Sequence, residues 1–480
     1  MNKNILLIYP KYSYPRKNPP LGLAYLASFV RREGFNPLII DLNIENYSDE
    51  KIQGLVREFN PVVTGISFMT NQYGECVRLA ELIKSASKSA CIVAGGPHVS
   101  ALPKEILLEC PAIDFTVIGE GELTFLELVT SISSGEKKFD HINGICFRAG
   151  AEIIRTGARD LMEDVESLPF PAWDLIRVEK YSVFSIGEGN TFALLSSRGC
   201  PNHCIFCDSH TVFGRKFRAR SAQHIFSEIK FLHRQYGMTI FDFVDDMITL
   251  NKGRVLELCR LIKESGIAFK WMANARVNTI DREMLIRMKE SGCIRIDVGV
   301  ESGDPAVRKI AKKGTTNEQI INAHKWARET GIQIGAFTMV GNLGETMESV
   351  RMTAELLKNI GEDVMISIAC PFPGTDLYRT AREKGYLRVI DWSRYVTSPT
   401  YLKDYKPIMD TDTMTEKEIL NAYYYLHSFF ARRKFRARYG KYFLLNPVFM
   451  KEWLFKSTDQ GGLLRKASMA FNLVRARLAI

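Results

Sequence analysis

Short apolar runs alternate with amphipathic stretches along residues 1–138. Five of the runs have the length of buried strands: Ile5–Tyr9, Leu38–Asp41, Val62–Ser67, Cys91–Ala94 and Phe115–Ile118. Four stretches between them space their apolar residues as helices do: Leu21–Glu33, Glu50–Glu58, Gly74–Lys84 and Glu122–Ser131. Strands that alternate with helices predict an α/β domain with a parallel, doubly wound sheet. Its ligand crevice should lie beyond the carboxyl ends of the strands.

The segments at the ends of three of these strands are small and rich in glycine: Ser67 at the third, Gly95, Gly96, Pro97 and His98 at the fourth, and Gly119, Glu120 and Gly121 at the fifth. Because glycine has no side chain, the backbone of such a loop approaches a bulky ligand closely. We therefore expect these residues to bind a ligand in the crevice of a Rossmann-like domain.

A second series of strands and helices follows a connector, residues 139–188, that contains a predicted hairpin of Ile142–Phe147 with Glu152–Arg155. Strands of this series are predicted at Thr191–Ser196, Ile240–Val244, Lys270–Ala273, Ile294–Val298, Gln333–Val340 and Met365–Ala369. Helices are predicted at Ala222–Tyr236, Arg254–Glu264, Arg282–Ser291, Glu318–Thr330 and Glu348–Leu357. Six such units over residues 189–390 predict a partial (β/α)6 barrel with its chemistry at the carboxyl ends of the strands.

Composition narrows the class of protein. The 480 residues are 46% hydrophobic and 25% charged, as in globular proteins. Neither a signal peptide nor an apolar run of about 18 residues is visible, so we expect a cytoplasmic protein. Its ten cysteines are then interpreted as thiols or metal ligands rather than as disulfides.

Three of these cysteines, Cys200, Cys204 and Cys207, stand close together after the first strand of the second series. Thiolates at this C-x3-C-x2-C spacing suit three irons of a 4Fe–4S cubane and leave the fourth iron open. An open iron suits a catalyst, because an electron-transfer protein fills that corner with a fourth cysteine. A zinc site completed by His203 or His210, and a fortuitous spacing, are the alternatives.

The cysteine segment resembles the cluster-binding loop of the radical S-adenosylmethionine (SAM) superfamily, which has the same spacing and an aromatic residue, here Phe206, before the last cysteine. Further segments that resemble this superfamily are Phe243–Asp246, Ala275–Asn278, Gly299–Gly303, Lys312–Gly314, Met339–Thr346 and Pro373–Thr375. The resemblance implies an enzyme whose open iron binds SAM and whose reductive cleavage of SAM yields a 5′-deoxyadenosyl radical. It also implies a reductant such as flavodoxin or ferredoxin.

The same resemblance places candidate SAM ligands at the barrel mouth. Arg276 and Lys313 are cations suited to the methionyl carboxylate, while Glu301 suits the ribose hydroxyls or the amino group. Asp245 is placed for a similar contact with the amino group, and the backbone of Gly341 for a contact with adenine. The alternatives are solvent-facing charges, structural ion pairs and a plain turn glycine.

The domain ahead of the barrel resembles the cobalamin-binding domain of class B radical SAM enzymes in three segments: Pro20–Leu26, Gly95–His98 and Gly119–Glu122. The D-x-H-x-x-G motif, which supplies a cobalt-ligating histidine in the wider cobalamin-binding family, is absent, and Asp41–Glu45 stands in its place. Many members of the class lack that histidine, so the resemblance implies cobalamin without a protein ligand on cobalt. His98 is interpreted as a loop contact to the cofactor, and a domain without cofactor is the alternative.

With cobalamin, the resemblance implies modification of an unactivated carbon in an apolar small molecule or lipid. Methylation, as in hopanoid methylase-like enzymes, is one outcome, and oxidative ring closure, as in the anaerobic magnesium-protoporphyrin ester cyclase, is the other. A radical SAM enzyme without cobalamin that couples carbons or forms rings is a further hypothesis. A non-catalytic iron–sulfur or cobalamin sensor is the hypothesis outside enzymes.

The basic residues are concentrated at the end of the chain. Residues 428–480 carry twelve Lys and Arg against two acidic residues, so the net charge of +10 arises there. The helical region 391–480 interleaves these cations with aromatic residues, which favours peripheral contact with an anionic membrane surface. A helical cap on the barrel with a solvated basic face is the alternative, and we do not expect nucleic acid as a partner.

Overall fold

The computed structural model describes residues 2–12, 18–181, 191–361, 363–402 and 404–439, with side chains as far as residue 430 except that of residue 401. Its strands are β1 (Asn4–Tyr9), β2 (Asn36–Asp41), β3 (Val63–Ser67), β4 (Ile92–Gly95), β5 (Phe115–Val117), β6 (Ile145–Ala149), β7 (Glu152–Arg155), β8 (Phe192–Leu194), β9 (Ser197–Arg198), β10 (Arg218–Ala219), β11 (Ile240–Phe243), β12 (Lys270–Ala275), β13 (Cys293–Glu301), β14 (Gln333–Val340) and β15 (Val364–Ile368).

The α-helices of the described residues are α1 (Leu21–Arg32), α2 (Asp49–Phe59), α3 (Tyr73–Ala86), α4 (Pro97–Ala101), α5 (Pro103–Glu109), α6 (Gly121–Ser133), α7 (His210–Phe213), α8 (Ala222–Tyr236), α9 (Lys252–Glu264), α10 (Arg282–Glu290), α11 (Pro305–Ile310), α12 (Asn317–Thr330), α13 (Met347–Ile360), α14 (Asp376–Glu383) and α15 (Glu416–Tyr439).

The first sheet has seven strands in the order β2-β1-β3-β4-β5-β6-β7. The strands β1 to β5 are parallel, which confirms the predicted doubly wound α/β domain. Since β1 pairs with β2 on one side and with β3 on the other, the switch point of the topology lies between β1 and β3. The hairpin β6–β7, which the sequence placed in the connector, extends this sheet because Ile145, Cys146 and Phe147 are buried beside β5.

Both faces of this sheet are buried, and β1 shows how. Ile5 and Leu7 pack with the apolar residues of α1 and α6, whereas Leu6 and Ile8 pack with those of α2 and α3. Successive side chains of a strand point to opposite faces, so a strand covered on both sides must be apolar throughout. This explains why the strands stand out in the sequence as continuous apolar runs.

The second sheet has six parallel strands in the order β15-β14-β13-β12-β11-β8. Phe241 and Phe243 of β11 pack among the covering helices, so Asp242 and Val244 point to the opposite side, the barrel lumen. The six strands and their crossover helices confirm the predicted partial barrel. The prediction ended β13 at Val298, but the strand continues to Glu301 through an irregular register with β14.

The helix α15 follows the barrel, and its first half docks on it. Ile419, Ala422, Tyr423 and Leu426 are buried among residues of β14, β15 and α13, as a helical cap requires. Within the part of the chain that the structure describes, no helix is long and apolar enough to cross a membrane. The segment for which membrane contact was predicted lies mostly outside the described residues.

Candidate active site

A cavity of about 490 Å³ lies at the carboxyl edge of the first sheet, where this sheet faces the barrel. One wall contains Leu7 and Gly65 at the switch point between β1 and β3. The opposite wall belongs to the second sheet and its loops, with Leu195, Phe213 and Val244. The crevice expected from the sequence therefore exists, and the barrel closes its other side. A volume of this order is typical of sites for small molecules and cofactors.

The predicted residues that line this cavity are Ser67, Gly95, Gly96, Pro97, Gly119, Glu120 and Gly121. Gly96 has a φ of 100°, and a Cβ there would lie 2.7 Å from the carbonyl oxygen of Phe68, so the turn requires glycine. A Cβ at Gly95 would meet no protein atom within 4 Å and would occupy the cavity itself. The bare backbone therefore leaves room for a ligand, as a bulky cofactor needs.

His98, in contrast to its neighbours, does not line the cavity. Its side chain is 1% exposed, and its ring centroid lies 5.8, 5.4 and 5.0 Å from those of Phe68, Tyr73 and Trp392. Burial lowers the pKa of the imidazole to about 4, so the ring is neutral. Because α4 begins at Pro97, the chain turns away from the crevice at this point. His98 packs the first domain against the segment after the barrel, and this arrangement does not support a contact with the cofactor.

Glu120 lines the cavity, but arginines of the second domain engage its carboxylate. Its Oε1 lies 3.1 Å from Nη1 of Arg198, and its Oε2 lies 2.7 Å from Nη1 of Arg218. Glu122 Oε1 lies 2.5 Å from Nη2 of Arg198. Burial alone would raise the pKa of the Glu122 carboxyl, but the positive charge of Arg198 outweighs it and holds that pKa below its ordinary value. The predicted glycine-rich loop therefore also connects the two domains through ion pairs.

Cys200, Cys204 and Cys207 lie half-buried in the loop after β9. Asn202 Nδ2 donates to Cys200 Sγ at 3.2 Å, and Arg276 Nη1 lies 3.9 Å from Cys204 Sγ. Burial raises the pKa of the Cys207 thiol to about 12. Coordination to a cationic iron would offset the cost of ionising the Cys207 thiol in such surroundings.

The donor set of this loop consists of three thiols, which fits iron–sulfur ligation. Among the described residues, no group of three or more His, Cys, Asp and Glu side chains is arranged around a single metal ion. A cubane does not require such convergence, because each thiolate binds an iron atom of its own. The assignment of the three cysteines to the cluster stays a prediction.

The structure brings Arg276, Glu301 and Lys313 together at the barrel mouth, each 8–9% exposed. Lys313 Nζ lies 2.8 Å from Glu301 Oε1, and a Cβ at Gly299 would collide with both side chains. Glu301 has a φ of 63°, a left-handed conformation that is uncommon for residues other than glycine and concentrates at functional sites. The Nε of Arg276 has no hydrogen-bond partner among the described residues. This group is therefore buried, charged and next to the cysteine loop, although its contacts with SAM stay predictions.

Asp245 holds the end of β8 rather than facing the cavity. Its carboxylate accepts hydrogen bonds from Ser196 N at 3.1 Å, from Ser196 Oγ at 2.8 Å and from Ser197 Oγ. The next residue, Asp246, lines the cavity together with Asp208. Burial raises the pKa of both of these carboxyl groups.

Sequence reasoning missed Asp208 and Asp246, although signals for both existed. Asp208 directly follows Cys207, and Asp246 directly follows Asp245 in the Asp-Asp pair after β11. A pattern of residue types does not tell which of two adjacent carboxylates faces the ligand. That choice depends on how the strand ends.

Gly341 lies under α15. It has a φ of 81°, and a Cβ there would lie 2.9 Å from Ile419 Cγ2. Its N–H donates to Glu345 Oε2 at 2.6 Å. A turn and a close helix contact thus account for this glycine, and its predicted contact with adenine stays a prediction.

Comparisons with known proteins agree with this architecture. Residues 194–357 match the radical SAM superfamily, and residues 13–129 match the B12 binding domain. The chain is 36% identical to an uncharacterized methyltransferase of Pyrococcus horikoshii over 387 residues, which cover 80% of this chain and 83% of that one. It is 27% identical to the anaerobic magnesium-protoporphyrin IX monomethyl ester cyclase of Rubrivivax gelatinosus, covering 87% of this chain and 75% of that one.

Among solved structures, the radical SAM methyltransferase TsrM from Kitasatospora setae, with cobalamin and a [4Fe-4S] cluster bound, matches with a TM-score of 0.72. The match covers 100% of each chain at 18% identity, which shows a shared fold. The chain belongs to the radical SAM superfamily, in the group with an N-terminal B12-binding domain. Its cofactors are accordingly a 4Fe–4S cluster, SAM and cobalamin, and it is an enzyme of the methyltransferase or cyclase type.

Proposed function

We propose that this enzyme modifies an unactivated carbon of an apolar small molecule or lipid, with methylation as the first candidate reaction. The supporting observation is the cavity of about 490 Å³ between the two domains. Its first wall contains the glycine-rich loops of the B12-binding domain, and its second wall contains Asp208 and Ser209, directly after the cysteine loop. A substrate held there is within reach of both cofactor sites.

Roles for the residues follow from their positions. Cys200, Cys204 and Cys207 hold the cluster, and Arg276 with the Glu301–Lys313 pair orients the polar groups of SAM beside it. Ser67, Gly95, Gly96 and Gly119 bind the corrin through backbone and small side chains. When bound, the cluster and SAM supply a 5′-deoxyadenosyl radical, and cobalamin supplies a transferable methyl group.

The walls of the cavity favour an apolar substrate. Leu195, Val212 and Phe213 are among the apolar side chains that face it from the side of the barrel. A largely apolar site between two domains binds apolar groups and limits the access of water to a reactive radical. Asp208 and Asp246 are among the polar residues of the far wall, and their carboxyl groups are placed to orient a hydroxyl or amino group of the substrate.

Methylation is preferred because the relative at 36% identity is named as a methyltransferase. Ring closure is the second candidate, because a cyclase that acts on a porphyrin ester is 27% identical over most of both chains. Both reactions begin with abstraction of a hydrogen atom from the substrate.

Label transfer from SAM tests this proposal. The protein is reconstituted anaerobically with iron, sulfide and hydroxocobalamin, reduced with flavodoxin, and incubated with methyl-deuterated SAM and an organic-solvent extract of the source cells. We expect labelled product in the organic phase, formed together with 5′-deoxyadenosine. Label only in water-soluble products contradicts an apolar substrate. Products that lose hydrogen without gaining label indicate the cyclase reaction.

Peripheral contact with the inner face of a membrane is the remaining part of the proposal, and it is supported by the excess of basic residues in 428–480. Lys and Arg near an anionic surface contribute roughly 1 kcal/mol each to binding. The full chain should sediment with phosphatidylglycerol vesicles at low salt and not with phosphatidylcholine vesicles. Equal sedimentation with both vesicles contradicts an electrostatic contact.

A further inference from the structure

Four buried charged residues join the two domains beside the cysteine loop, and we call them the interdomain ion-pair cluster: Glu120, Glu122, Arg198 and Arg218. Their side chains are only 2–7% exposed. Arg198 divides its guanidinium between the two glutamates, with Nη1 directed at Glu120 and Nη2 at Glu122. A planar fork that contacts two carboxylates at once fixes direction as well as distance.

The cluster also includes backbone groups of the chain between the domains. The N–H of Met162 donates to Glu120 Oε2 at 3.0 Å, and Arg218 Nη1 donates to the carbonyl oxygen of Met162 at 2.8 Å. Arg218 Nη2 donates to the carbonyl oxygen of Phe213 at 2.7 Å. The N-terminal loop, the connecting segment and the chain after the cysteines therefore meet at one point.

Arg198 stands two residues before Cys200, and the residue between them has little freedom. Gly199 has a φ of 82°, and a Cβ on it would collide with the carbonyl oxygen of Lys216. The backbone between Arg198 and the first cysteine is therefore short and closely packed, and we expect a displacement of Arg198 to move Cys200. On the other side, Glu120, Glu122 and Arg198 all line the cavity at the edge of the first sheet.

Stability alone is a poor reason for such a cluster. Burying ions costs free energy that their mutual attraction only partly returns, and apolar residues of similar size often stabilise a protein as well or better. Buried ion pairs instead fix one arrangement among several, because any other arrangement leaves a charge without a partner. Here the fixed arrangement is that of the cysteine loop against the cavity wall.

We propose that the interdomain ion-pair cluster is a positioning device that sets the separation and orientation between the iron–sulfur cluster and the corrin. The placement of the two cofactors on the two sides of this cavity rests on the proposed function. The positioning of the cysteine loop rests only on the ion pairs. Glu120, Glu122, Arg198 and Arg218 are positioning residues in this proposal, and none of them transfers an atom or an electron.

Hydrogen exchange of the protein without cofactors tests the positioning of the loop. In Glu122→Gln, the amides of residues 199–207 should exchange about tenfold faster, while those of β11 to β14 keep their rates. Arg198→Lys should give a smaller increase, because an ammonium group cannot serve two carboxylates in the fork geometry. Asp297→Asn is the matched control, since the Asp297 side chain is also largely buried, at 10% exposed, and pairs with Arg295 at 2.7 Å within β13.

Unchanged exchange at residues 199–207 in both variants overturns the proposal. An equal acceleration over both sheets, or the same acceleration of the loop in Asp297→Asn, overturns it as well, because either result describes general destabilisation. This measurement needs neither cobalamin nor SAM, so a failure of the proposed function does not affect it.

Electron paramagnetic resonance of the reconstituted, reduced protein tests the distance itself. In the wild type, the spin coupling between cobalamin in its paramagnetic Co(II) form and the reduced, paramagnetic 4Fe–4S cluster should give one splitting, as a single separation requires. Glu122→Gln should broaden or shift this splitting at unchanged iron and corrin content, and Asp297→Asn should leave it as in the wild type. An identical splitting in all three proteins overturns the positioning role, whereas absence of a corrin in the wild type contradicts the proposed function instead.

Discussion

Two ligand sites of this protein lie at the carboxyl edges of two parallel sheets, but they are built from different parts of the chain. At the first sheet, the wall consists largely of glycine backbone and apolar side chains, as at Gly95 and Phe125. At the barrel mouth, thiols and buried charges such as Arg276 and Lys313 are gathered in a small space. A wide surface of small residues suits a large ring, whereas a concentrated set of charges suits a small polar ligand.

This difference predicts opposite sensitivities. The first site should tolerate changes of polarity and fail when volume is added, because its fit depends on empty space. The barrel mouth should fail when a donor or a charge is removed, even if the shape is kept. Substitutions that separate these two behaviours test the comparison directly.

The largest effect is expected from removal of one thiol at the barrel mouth. Cys204→Ala should reduce formation of 5′-deoxyadenosine from SAM to background, because a cubane with two protein ligands is not held. Iron content and 5′-deoxyadenosine are measured after anaerobic reconstitution. Cys91→Ala is the control, since Cys91 is also half-buried but lies in the first domain. Full activity of Cys204→Ala would show that the cluster lies elsewhere.

The second largest effect is expected from removal of a positive charge at the barrel mouth that does not ligate iron. Arg276→Gln should raise the KM for SAM by about 10- to 100-fold, the cost of losing a charge-assisted hydrogen bond of about 1.5–3 kcal/mol. Corrin binding should stay unchanged, because Arg276 lies at the barrel mouth beside Cys204. Arg282→Gln, an exposed arginine paired with Glu329, is the control. If both variants have the same KM, Arg276 does not bind SAM.

Added volume should produce the reverse pattern at the first sheet. A Cβ at Gly95 meets no protein atom within 4 Å, so Gly95→Leu directs a side chain into the cavity, and cobalamin retained after desalting should fall by about tenfold while SAM cleavage continues. The absorbance of the corrin measures the retention. Gly54→Leu is the control, because a Cβ at Gly54 in α2 also meets open space but lies outside the cavity. Equal retention in both variants would place the corrin outside this cavity.

The difference between local and long-range features explains which parts of the fold and of the site could be predicted from the sequence. Continuous apolar runs and glycines after strands are local patterns, so the strands and the residues that line the cavity were predictable. The cysteine spacing is local as well. The roles of His98 and Asp245 were not predictable, because the direction of each side chain depends on where α4 begins and how β8 ends.

The ion-pair partners of Glu120 could not be predicted from the sequence for a different reason. Arg198 and Arg218 are about 80 and 100 residues away along the chain, and no short-range pattern relates charges at that separation. The hairpin β6–β7 was assigned to the connector for the same reason, since sheet pairing is a long-range contact. Such contacts depend on how whole helices and strands pack. That packing produces no recognisable pattern within any ten or twenty consecutive residues of the sequence.

The smallest effect on cofactor chemistry is expected at Glu345, a carboxyl group near the barrel mouth that no ligand in the proposal uses. It is 1% exposed, accepts hydrogen bonds from the N–H groups of Gly341 and Asn342, and burial raises its pKa from 4.5 to about 7. The folded state therefore binds this proton more tightly than the unfolded state. The resulting stabilisation is present below pH 4.5 and is lost as the pH rises to about 7.

Glu345→Gln removes this titration and keeps an oxygen that accepts from Gly341. Relative to the wild type, the variant should gain about 1–3 kcal/mol in free energy of unfolding between pH 5 and pH 8, measured by denaturant titration at both values. Glu348→Gln, exposed on α13, controls for the loss of one charge. A stability difference that is the same at both pH values would mean that Glu345 stays ionised when buried. The barrel mouth would then hold a buried negative charge that no cation neutralises. Sensitivity to charge would in that case separate the barrel mouth less clearly from the glycine-lined site of the first sheet.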